Sequence, residues 1–266
     1  TYATNVMGTA HVLNALRVLE KPCTAVIVTT DKCYENREWL HGYREEDPLG
    51  GYDPYSSSKA AAELVTSAYR QSYFQHGSIR VASARAGNVV GGGDWAADRI
   101  IPDCIRALES GQTIAVRNPD ATRPWQHVLE PLSAYLWLAA SVAAAQTEER
   151  ARSLRSSFNF GPSVTSNRSV RAVVEELIKH RAGSWKDCSD PAALHEAGKL
   201  HLSTDKAYHL LGWQPVWGFE QTIEKTATWY NENGDRAGLH AAESSQRQIR
   251  EYVRRAQEMN IPWATS

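Results

Sequence analysis

The chain has 266 residues, of which 42% are hydrophobic and 22% charged, and its net charge is −1. These values are typical of a soluble globular protein, and no apolar run approaches the about 20 residues that span a bilayer. A near-neutral charge argues against a general nucleic-acid binder, because such proteins need a basic surplus or a basic patch. Neither a membrane nor nucleic acid is therefore expected as a partner.

The cysteines are scattered, without a CxxC pair or the spacing of metal ligands, at positions 23, 33, 104 and 188. This usage predicts neither a structural metal nor a disulfide framework, and it favours a reducing, cytoplasmic setting. The chain begins with Thr1 rather than Met and shows no signal peptide. We therefore expect it to start inside a longer protein.

The first part of the chain alternates between helix and strand patterns. Helical spacing at residues 5–19 is followed by an apolar strand at 25–30, a helix at about 56–75 and a second apolar strand at 79–84. Strands that are apolar on both faces are typical of a buried parallel sheet. The order predicts an α/β fold with a doubly wound parallel sheet.

Beyond residue 87 the pattern is mixed and predicts a second, smaller α/β domain. We expect residues 1–88 to form one domain, with a returning segment near 124–161, and residues 89–266 to form mainly the other. Further helices are predicted near 98–110, 130–145, 169–181, 204–211, 219–233 and 244–259, with short strands at 113–116 and 158–160.

Tyr55 and Lys59 open the helix near residue 56, and their spacing of four places them on one face. A neighbouring ammonium stabilises a phenolate, which suits the tyrosine for proton transfer. By itself the spacing is common, and an ordinary helix start with an exposed lysine explains it equally well.

The preceding strand ends in Thr29-Thr30-Asp31-Lys32, and parallel α/β sheets bind ligands at the carboxyl ends of their strands. A hydroxyl, a carboxylate and an ammonium at a strand end, followed by Tyr and Lys on the next helix, resemble the short-chain dehydrogenase/reductase superfamily. The similarity is to its extended branch, which acts on sugar nucleotides with NAD. That resemblance implies a partial Rossmann-type sheet in residues 1–88 and a sugar-nucleotide-binding domain in residues 89–266.

Four further stretches resemble the CDP-glucose 4,6-dehydratases within that branch, and they occur in order along residues 1–229. They read TTDKCYEN from residue 29, DPLGGYDPYSSSK from 47, ARAGNVVGGGDW from 84 and RPWQHVLEP from 123. The resemblance implies an NAD-dependent lyase that converts CDP-glucose to CDP-4-dehydro-6-deoxyglucose, a step of deoxysugar biosynthesis.

The resemblance also implies roles for single residues. Tyr55 would take the proton of the glucose 4-hydroxyl while hydride leaves C4 for NAD, and Thr30 would hydrogen-bond the 4-oxygen. Asp31 would protonate the departing C6 hydroxyl, and Lys59 would hold the nicotinamide ribose. The implied cofactor contacts are Tyr55, Lys59, Ala86 and Asn88.

Lys32 stands where dehydratases for other nucleotides carry a glutamate that removes the C5 proton. A lysine acts as a base only if its surroundings strongly favour the neutral amine. The adjacent Asp31 works against that, so Lys32 is interpreted as an electrostatic stabiliser of the enolate, with a base role left open.

The implied substrate contacts are Asn88, Trp95, Arg99, Arg117, Arg123 and His127. Arg99 and Arg123 are expected to clamp the diphosphate, since guanidinium groups engage phosphate oxygens in pairs. Arg117 is equally well explained as a solvated charge at the rim. His127 is expected at the diphosphate or the ribose, with a structural histidine as the alternative.

No GxxGxxG turn, which would seat the NAD pyrophosphate on a helix N-terminus, precedes the first strand. We expect that turn within about 90 residues upstream, and we expect the chain alone to bind NAD poorly and to be inactive.

Alternatives are an epimerase, a dehydratase for a GDP- or dTDP-sugar, a non-catalytic remnant that binds sugar nucleotides, and an interaction scaffold. The helices at 5–19 and 56–75 resemble those that pair subunits in this superfamily, which predicts a homodimer or a dimer of dimers.

Overall fold

The computed structural model describes residues 1–190, 200–234 and 238–265. The strands of this part are β1 Cys23–Val28, β2 Ile79–Ala86, β3 Val89–Val90, β4 Ile114–Val116, β5 Thr122–Pro124, β6 Gln126–His127, β7 Ser157–Phe160, β8 Asn167–Ser169 and β9 Trp185–Asp187. The α-helices are α1 Gly8–Arg17, α2 Pro54–Tyr73, α3 Ile100–Glu109, α4 Leu129–Ala144, α5 Glu148–Leu154, α6 Val170–His180, α7 Asp205–Leu211, α8 Phe219–Asn233, α9 Leu239–Glu258 and α10 Pro262–Thr265.

The chain divides into two compact units. Unit 1 contains residues 1–87, 131–161 and 200–214, and unit 2 contains residues 88–130, 162–199 and 215–266. The chain thus enters unit 1 three times, which produces the gradual change of pattern seen in the sequence. That one unit binds a dinucleotide and the other a sugar nucleotide stays a prediction.

Unit 1 is built on a parallel three-stranded sheet with the order β1–β2–β7. Val28 lies opposite Ala84, and Ala86 lies opposite Phe160, so the carboxyl ends of the strands meet at one edge. The middle strand β2 is almost wholly buried, which is why its sequence lacks polar alternation. The predicted α/β fold with a parallel sheet is confirmed.

Helices α1 and α2 cover this sheet with apolar side chains. Leu13 from α1 packs with Phe74, Ile79 and Val81, and each of these four residues is at most 9% exposed. α2 begins after Asp53, whose carboxylate accepts hydrogen bonds from the Tyr55 and Ser56 amides. This cap satisfies backbone donors that otherwise lack partners at a helix start.

Unit 2 is a helical core with small sheets at its margin. The sheets pair β3 with β6, β4 with β9 and β5 with β8, and only the last pair is antiparallel. Helices α3, α6 and α8 supply most of the core, in which Ile105, Leu177 and Ile223 are fully buried.

Helices α9 and α10 close unit 2 at its C-terminal end. Tyr252, Ala256 and Ile261 pack there against Val216 and Trp217. α9 begins at Leu239, five residues before the predicted helix at 244–259, and α5 is an additional helix. In the described residues, no helix is long and apolar enough to cross a membrane.

Candidate active site

The end of β1 turns at once into a short 3-10 helix, Asp31–Cys33, which carries two of the predicted catalytic residues. The Thr30 hydroxyl accepts from the Lys32 amide at 3.4 Å and donates to the Asp31 carboxylate at 3.0 Å. Asp31 is 1% exposed, whereas the Lys32 side chain is 46% exposed, with its Nζ 4.0 Å from Asp31 Oδ1. A hydroxyl, a buried carboxylate and an exposed ammonium thus stand side by side.

The first turn of α2 presents the predicted tyrosine and lysine. Tyr55 is 44% exposed and Lys59 is half-buried. Within the described residues, neither the Tyr55 hydroxyl nor the Lys59 ammonium has a protein partner, so both are available to a ligand. The backbone is packed closely here, because a Cβ on Gly51 would lie 2.6 Å from Ser56 Cβ.

The 3-10 helix and α2 are neighbours in the fold. Cys33 ends the 3-10 helix and shares a buried apolar cluster with Ala60, the residue after Lys59. Burial raises the pKa of the Cys33 thiol to about 12, so this cysteine serves packing and not chemistry at neutral pH. The predicted catalytic segments are therefore brought together within unit 1, on the edge where its strands end.

These residues fit a nicotinamide cofactor at its reactive end. The free hydroxyl of Tyr55 and the ammonium of Lys59 are donors for a ribose, and Ala86 ends β2 without a bulky side chain that would block a ring. Tyr135 was not predicted from the sequence. Its pKa is raised to about 12, first by burial and then by the charge of Asp31.

The predicted substrate residues belong to unit 2. The half-buried Asn88 starts the loop before β3, and its carbonyl accepts from the Gln126 amide. The following glycine loop rests on Trp229, since a Cβ on Gly92 would lie 2.0 Å from the indole. Trp95 makes an edge contact with Tyr230 at 5.1 Å between centroids. It thus has a packing role, and its predicted contact with the sugar stays a prediction.

The three predicted arginines differ in their surroundings. Arg99 is exposed and precedes α3. Arg117 forms an ion pair with Asp98 at 2.9 Å, but both side chains are more than 70% exposed, so the pair contributes little stability. Arg123 is half-buried on β5, directly opposite Arg168 on β8. Side chains opposite each other in an antiparallel pair share a face, and Arg168 was missed because nothing in the sequence pairs it with Arg123.

His127 is 1% exposed, which the sequence did not reveal. Its Nδ1 accepts from the Leu129 amide at 3.3 Å, and its ring meets Trp217 edge-on at 4.8 Å. Burial, and next the charge of Lys225, lower the pKa of His127 to about 3. The imidazole is therefore neutral at pH 7 with Nε2 as its donor, and this nitrogen is buried without a hydrogen-bond partner among the described residues.

The sequence profile of the family described as GDP-mannose 4,6 dehydratase matches residues 1–226. The CDP-glucose 4,6-dehydratase of Salmonella typhimurium is 45% identical over 243 residues, which cover 86% of this chain and 64% of that enzyme. The chain thus spans less than two thirds of that relative's length.

Two solved structures show the same fold. The dTDP-glucose 4,6-dehydratase of Bacillus anthracis, in complex with NAD, superposes with a TM-score of 0.73 at 25% identity, covering 87% of this chain and 69% of that one. The UDP-glucuronic acid 4-epimerase of Bacillus cereus superposes with a TM-score of 0.70 at 15% identity, covering 86% and 68%. The second likeness extends to the fold alone.

Proposed function

Since the chain belongs to the GDP-mannose 4,6 dehydratase family, we propose that its complete gene product dehydrates CDP-glucose to CDP-4-dehydro-6-deoxyglucose with NAD as cofactor. The observation that carries this choice of substrate is the 45% identity to a CDP-glucose 4,6-dehydratase. The dTDP-glucose dehydratase of Bos taurus reaches only 25%. The Asp31-Lys32 pair at the strand end supports a dehydratase over an epimerase, since elimination needs an acid for the leaving hydroxyl.

Unit 1 supplies a side chain for each proposed step except the removal of the C5 proton, whose base stays open. Tyr55 removes the proton of the 4-hydroxyl, and a bound NAD would supply the hydride acceptor for C4 and the hydride donor for C6. The new ketone acidifies the C5 proton, which passes to a base other than Asp31, and the C6 hydroxyl takes a proton and leaves as water. Asp31 protonates that leaving hydroxyl. Lys32 stabilises the enolate, and Lys59 binds the ribose.

Thr30 must change its hydrogen bond during this cycle. Its single hydroxyl proton points to Asp31 Oδ1 without substrate. A hydroxyl has one proton to donate, so Thr30 releases Asp31 when it donates to the 4-oxygen of the sugar. After this exchange, Asp31 Oδ1 no longer accepts from Thr30.

In unit 2, Arg99 and Arg123 are proposed to bind the diphosphate, with Asn88 and His127 as hydrogen-bond donors to the same nucleotide. Arg117, which is ion-paired with Asp98, is the weaker candidate, and Trp95 is proposed to contact the sugar.

Incubation of the complete gene product with NAD and with CDP-, dTDP- or GDP-sugars tests the proposal. We expect a 4-keto product, detected by its light absorption in alkali, from CDP-glucose only. Tyr55→Phe should slow the formation of this product strongly. An epimer with an intact C6 hydroxyl, or a preference for a GDP- or dTDP-sugar, contradicts the proposal. Binding of CDP-glucose without any turnover favours a non-catalytic binding protein.

The partner is proposed to be a second copy of the same chain. Helices α1 and α2 expose Val12, Leu64 and Tyr73, and Met7 is exposed just before α1; each of these side chains is more than half accessible. Such apolar faces are typical of an interface between copies. Sedimentation should therefore report a dimer or a dimer of dimers, and Leu64→Glu should shift it towards the monomer.

The protein is proposed to work in the cytoplasm. Its four cysteines are all free thiols, two of them buried, as is usual in a reducing compartment.

A further inference from the structure

Glu63 is a buried carboxylate on α2 that the proposed reaction does not use. It is 2% exposed and accepts hydrogen bonds from several side chains of the sheet. The Thr29 hydroxyl donates to Oε1 at 2.5 Å, whereas the Ser83 hydroxyl and the Arg85 guanidinium donate to Oε2 at 2.8 and 2.9 Å. One carboxylate therefore joins α2 to β2 and to the residue that follows β1.

The position of Glu63 on the helix links it to the proposed catalytic residues. Tyr55, Lys59 and Glu63 follow each other at intervals of four, so they form one stripe along α2. The stripe runs from the exposed Tyr55 through the half-buried Lys59 to the buried Glu63. Its inner end is bonded to Thr29, the residue before Thr30.

Arg85 extends the connection to the other side of the catalytic turn. Its Nη1 donates to the Tyr34 hydroxyl at 2.6 Å and to the Glu45 carbonyl at 3.0 Å. Tyr34 directly follows the 3-10 helix that contains Asp31 and Lys32. The ion pair of Glu63 and Arg85 therefore holds the catalytic turn at both ends, at Thr29 and at Tyr34.

The pair is ionised in the folded protein. Burial by itself would raise the pKa of Glu63, but the charge of Arg85 and hydrogen bonds from Arg85, Thr29 and Ser83 outweigh it and lower that pKa. A buried ion pair is weak evidence for stability, because well-packed apolar residues often stabilise a fold as well. Apolar side chains would not orient the carboxylate, which here accepts from Thr29, Ser83 and Arg85 and also from the Ser157 hydroxyl at 3.2 Å.

We propose that Glu63, held by Arg85, is a positioning residue that sets Tyr55 and Lys59 relative to Thr30 and Asp31. The inference rests on the proposed function for its effect on turnover, whereas the coupling between the two segments is a property of unit 1 itself. Near-attack geometry is sensitive to displacements of about 1 Å, which cost roughly 100-fold in rate.

The test compares Glu63→Gln and Thr29→Val with Thr66→Val. Thr66 is a matched control, because it is buried on α2 and its hydroxyl donates, among the described residues, only to the Ala62 carbonyl of its own helix, at 2.8 Å. With CDP-glucose and NAD, Glu63→Gln in the complete gene product should lower kcat about 100-fold with KM nearly unchanged. Thr29→Val should lower kcat less, and Thr66→Val should leave it within about twofold.

The double variant Glu63→Gln/Thr29→Val separates positioning from general destabilisation. If Glu63 acts through Thr29, adding Thr29→Val to Glu63→Gln changes kcat little, whereas Thr66→Val adds independently. Equal losses of kcat in Thr66→Val, or wild-type kcat in a folded Glu63→Gln variant, overturn the inference. If Glu63→Gln does not fold, the kcat of Thr29→Val is the test, and a wild-type kcat in Thr29→Val overturns the inference.

Amide hydrogen exchange gives a readout that needs no activity. In Glu63→Gln or Thr29→Val, the amides of residues 30–34 and 55–59 should exchange faster at conditions where global unfolding is unchanged. Unchanged exchange there overturns the inference. A wild-type protein that forms no 4-keto product refutes the proposed function instead, and the exchange result then still decides on the coupling.

Discussion

Tyr252 on α9 donates a hydrogen bond of 2.7 Å from its hydroxyl to Glu130 Oε2, at the start of α4 in unit 2. The same carboxyl group accepts from the Val216 and Trp217 amides, and Glu130 is completely buried. The Glu130 carboxyl group thus connects α9 to the segment that follows His127. Residues 239–265 lie beyond residues 1–226, which the family profile matches.

Glu130 should make unit 2 less stable above neutral pH. Burial raises the pKa of Glu130 to about 7, although the three hydrogen bonds oppose it. The folded state therefore keeps a proton on Glu130 that the unfolded chain releases from about pH 4.5 upwards. Because of this difference, the free energy of unfolding falls as pH rises from about 4.5 to about 7. The loss is roughly 3 kcal/mol by pH 8. Urea unfolding at pH 5 and pH 8 should show it for the wild type and not for Glu130→Gln.

His127 should produce the opposite slope at lower pH. Its pKa of about 3 in the folded state lies below the ordinary value of 6.5. Between these two pKa values, the unfolded chain binds a proton at His127 that the folded protein does not bind. The free energy of unfolding therefore rises with pH over this range. His127→Gln should remove this rise in urea unfolding measured at several pH values between about 3.5 and 6.5, when its free energies of unfolding are subtracted from those of the wild type. An equal slope in both proteins contradicts the assignment.

The sheet of unit 1 could be predicted because its strands are buried on both faces and are bounded by polar turns. The strand at Ser157–Phe160, far along the chain from Ile79–Ala86, was also predicted and pairs with it. Strands as short as Val89–Val90 and Gln126–His127 could not be predicted, because two residues show no period and their pairing depends on distant contacts.

The candidate site was predictable where local motifs mark it and hidden where charges are buried. Tyr55, Lys59 and the Thr30-Asp31-Lys32 turn follow strand and helix signals. Glu63 and Arg85 look like ordinary solvated charges in the sequence, although each side chain is at most 3% exposed. Burial of charge is decided by the tertiary fold, so its sequence signal is weak.

The cap of α2 should affect both stability and turnover. The Asp53 carboxylate accepts hydrogen bonds from the Tyr55 and Ser56 amides. Its pKa is lowered, mainly by the hydrogen bonds from Ser56. Asp53→Ala should cost about 1 kcal/mol of unfolding free energy and loosen the turn that carries Tyr55. Thermal unfolding measures the loss. Asp53→Asn is the control, since it keeps the capping oxygen, and an equal loss in it would assign the effect to charge.

Gly92 should be intolerant of any side chain. A Cβ there would lie 2.0 Å from Trp229 Cδ2, and this indole is 8% exposed and bonded to Ser245. Gly92→Ala should lower the unfolding free energy by about 1–3 kcal/mol and weaken binding of CDP measured by calorimetry. The control is Gly218→Ala, where no atom lies within 4 Å of the new Cβ. If both variants bind CDP equally, the glycine loop is not part of the nucleotide site.

Lys32 should act through its charge and not as the base at C5. Its ammonium lies 4.0 Å from Asp31 Oδ1, and its charge is one of the influences that lower the pKa of Asp53. These two carboxylates suit an electrostatic role. In deuterated solvent, Lys32→Met should form the 4-keto product about 100-fold more slowly but still incorporate deuterium at C5. Lys32→Arg, which keeps the charge and is a poor base, should recover most of the rate. Loss of C5 exchange in both variants would instead assign the proton abstraction to Lys32.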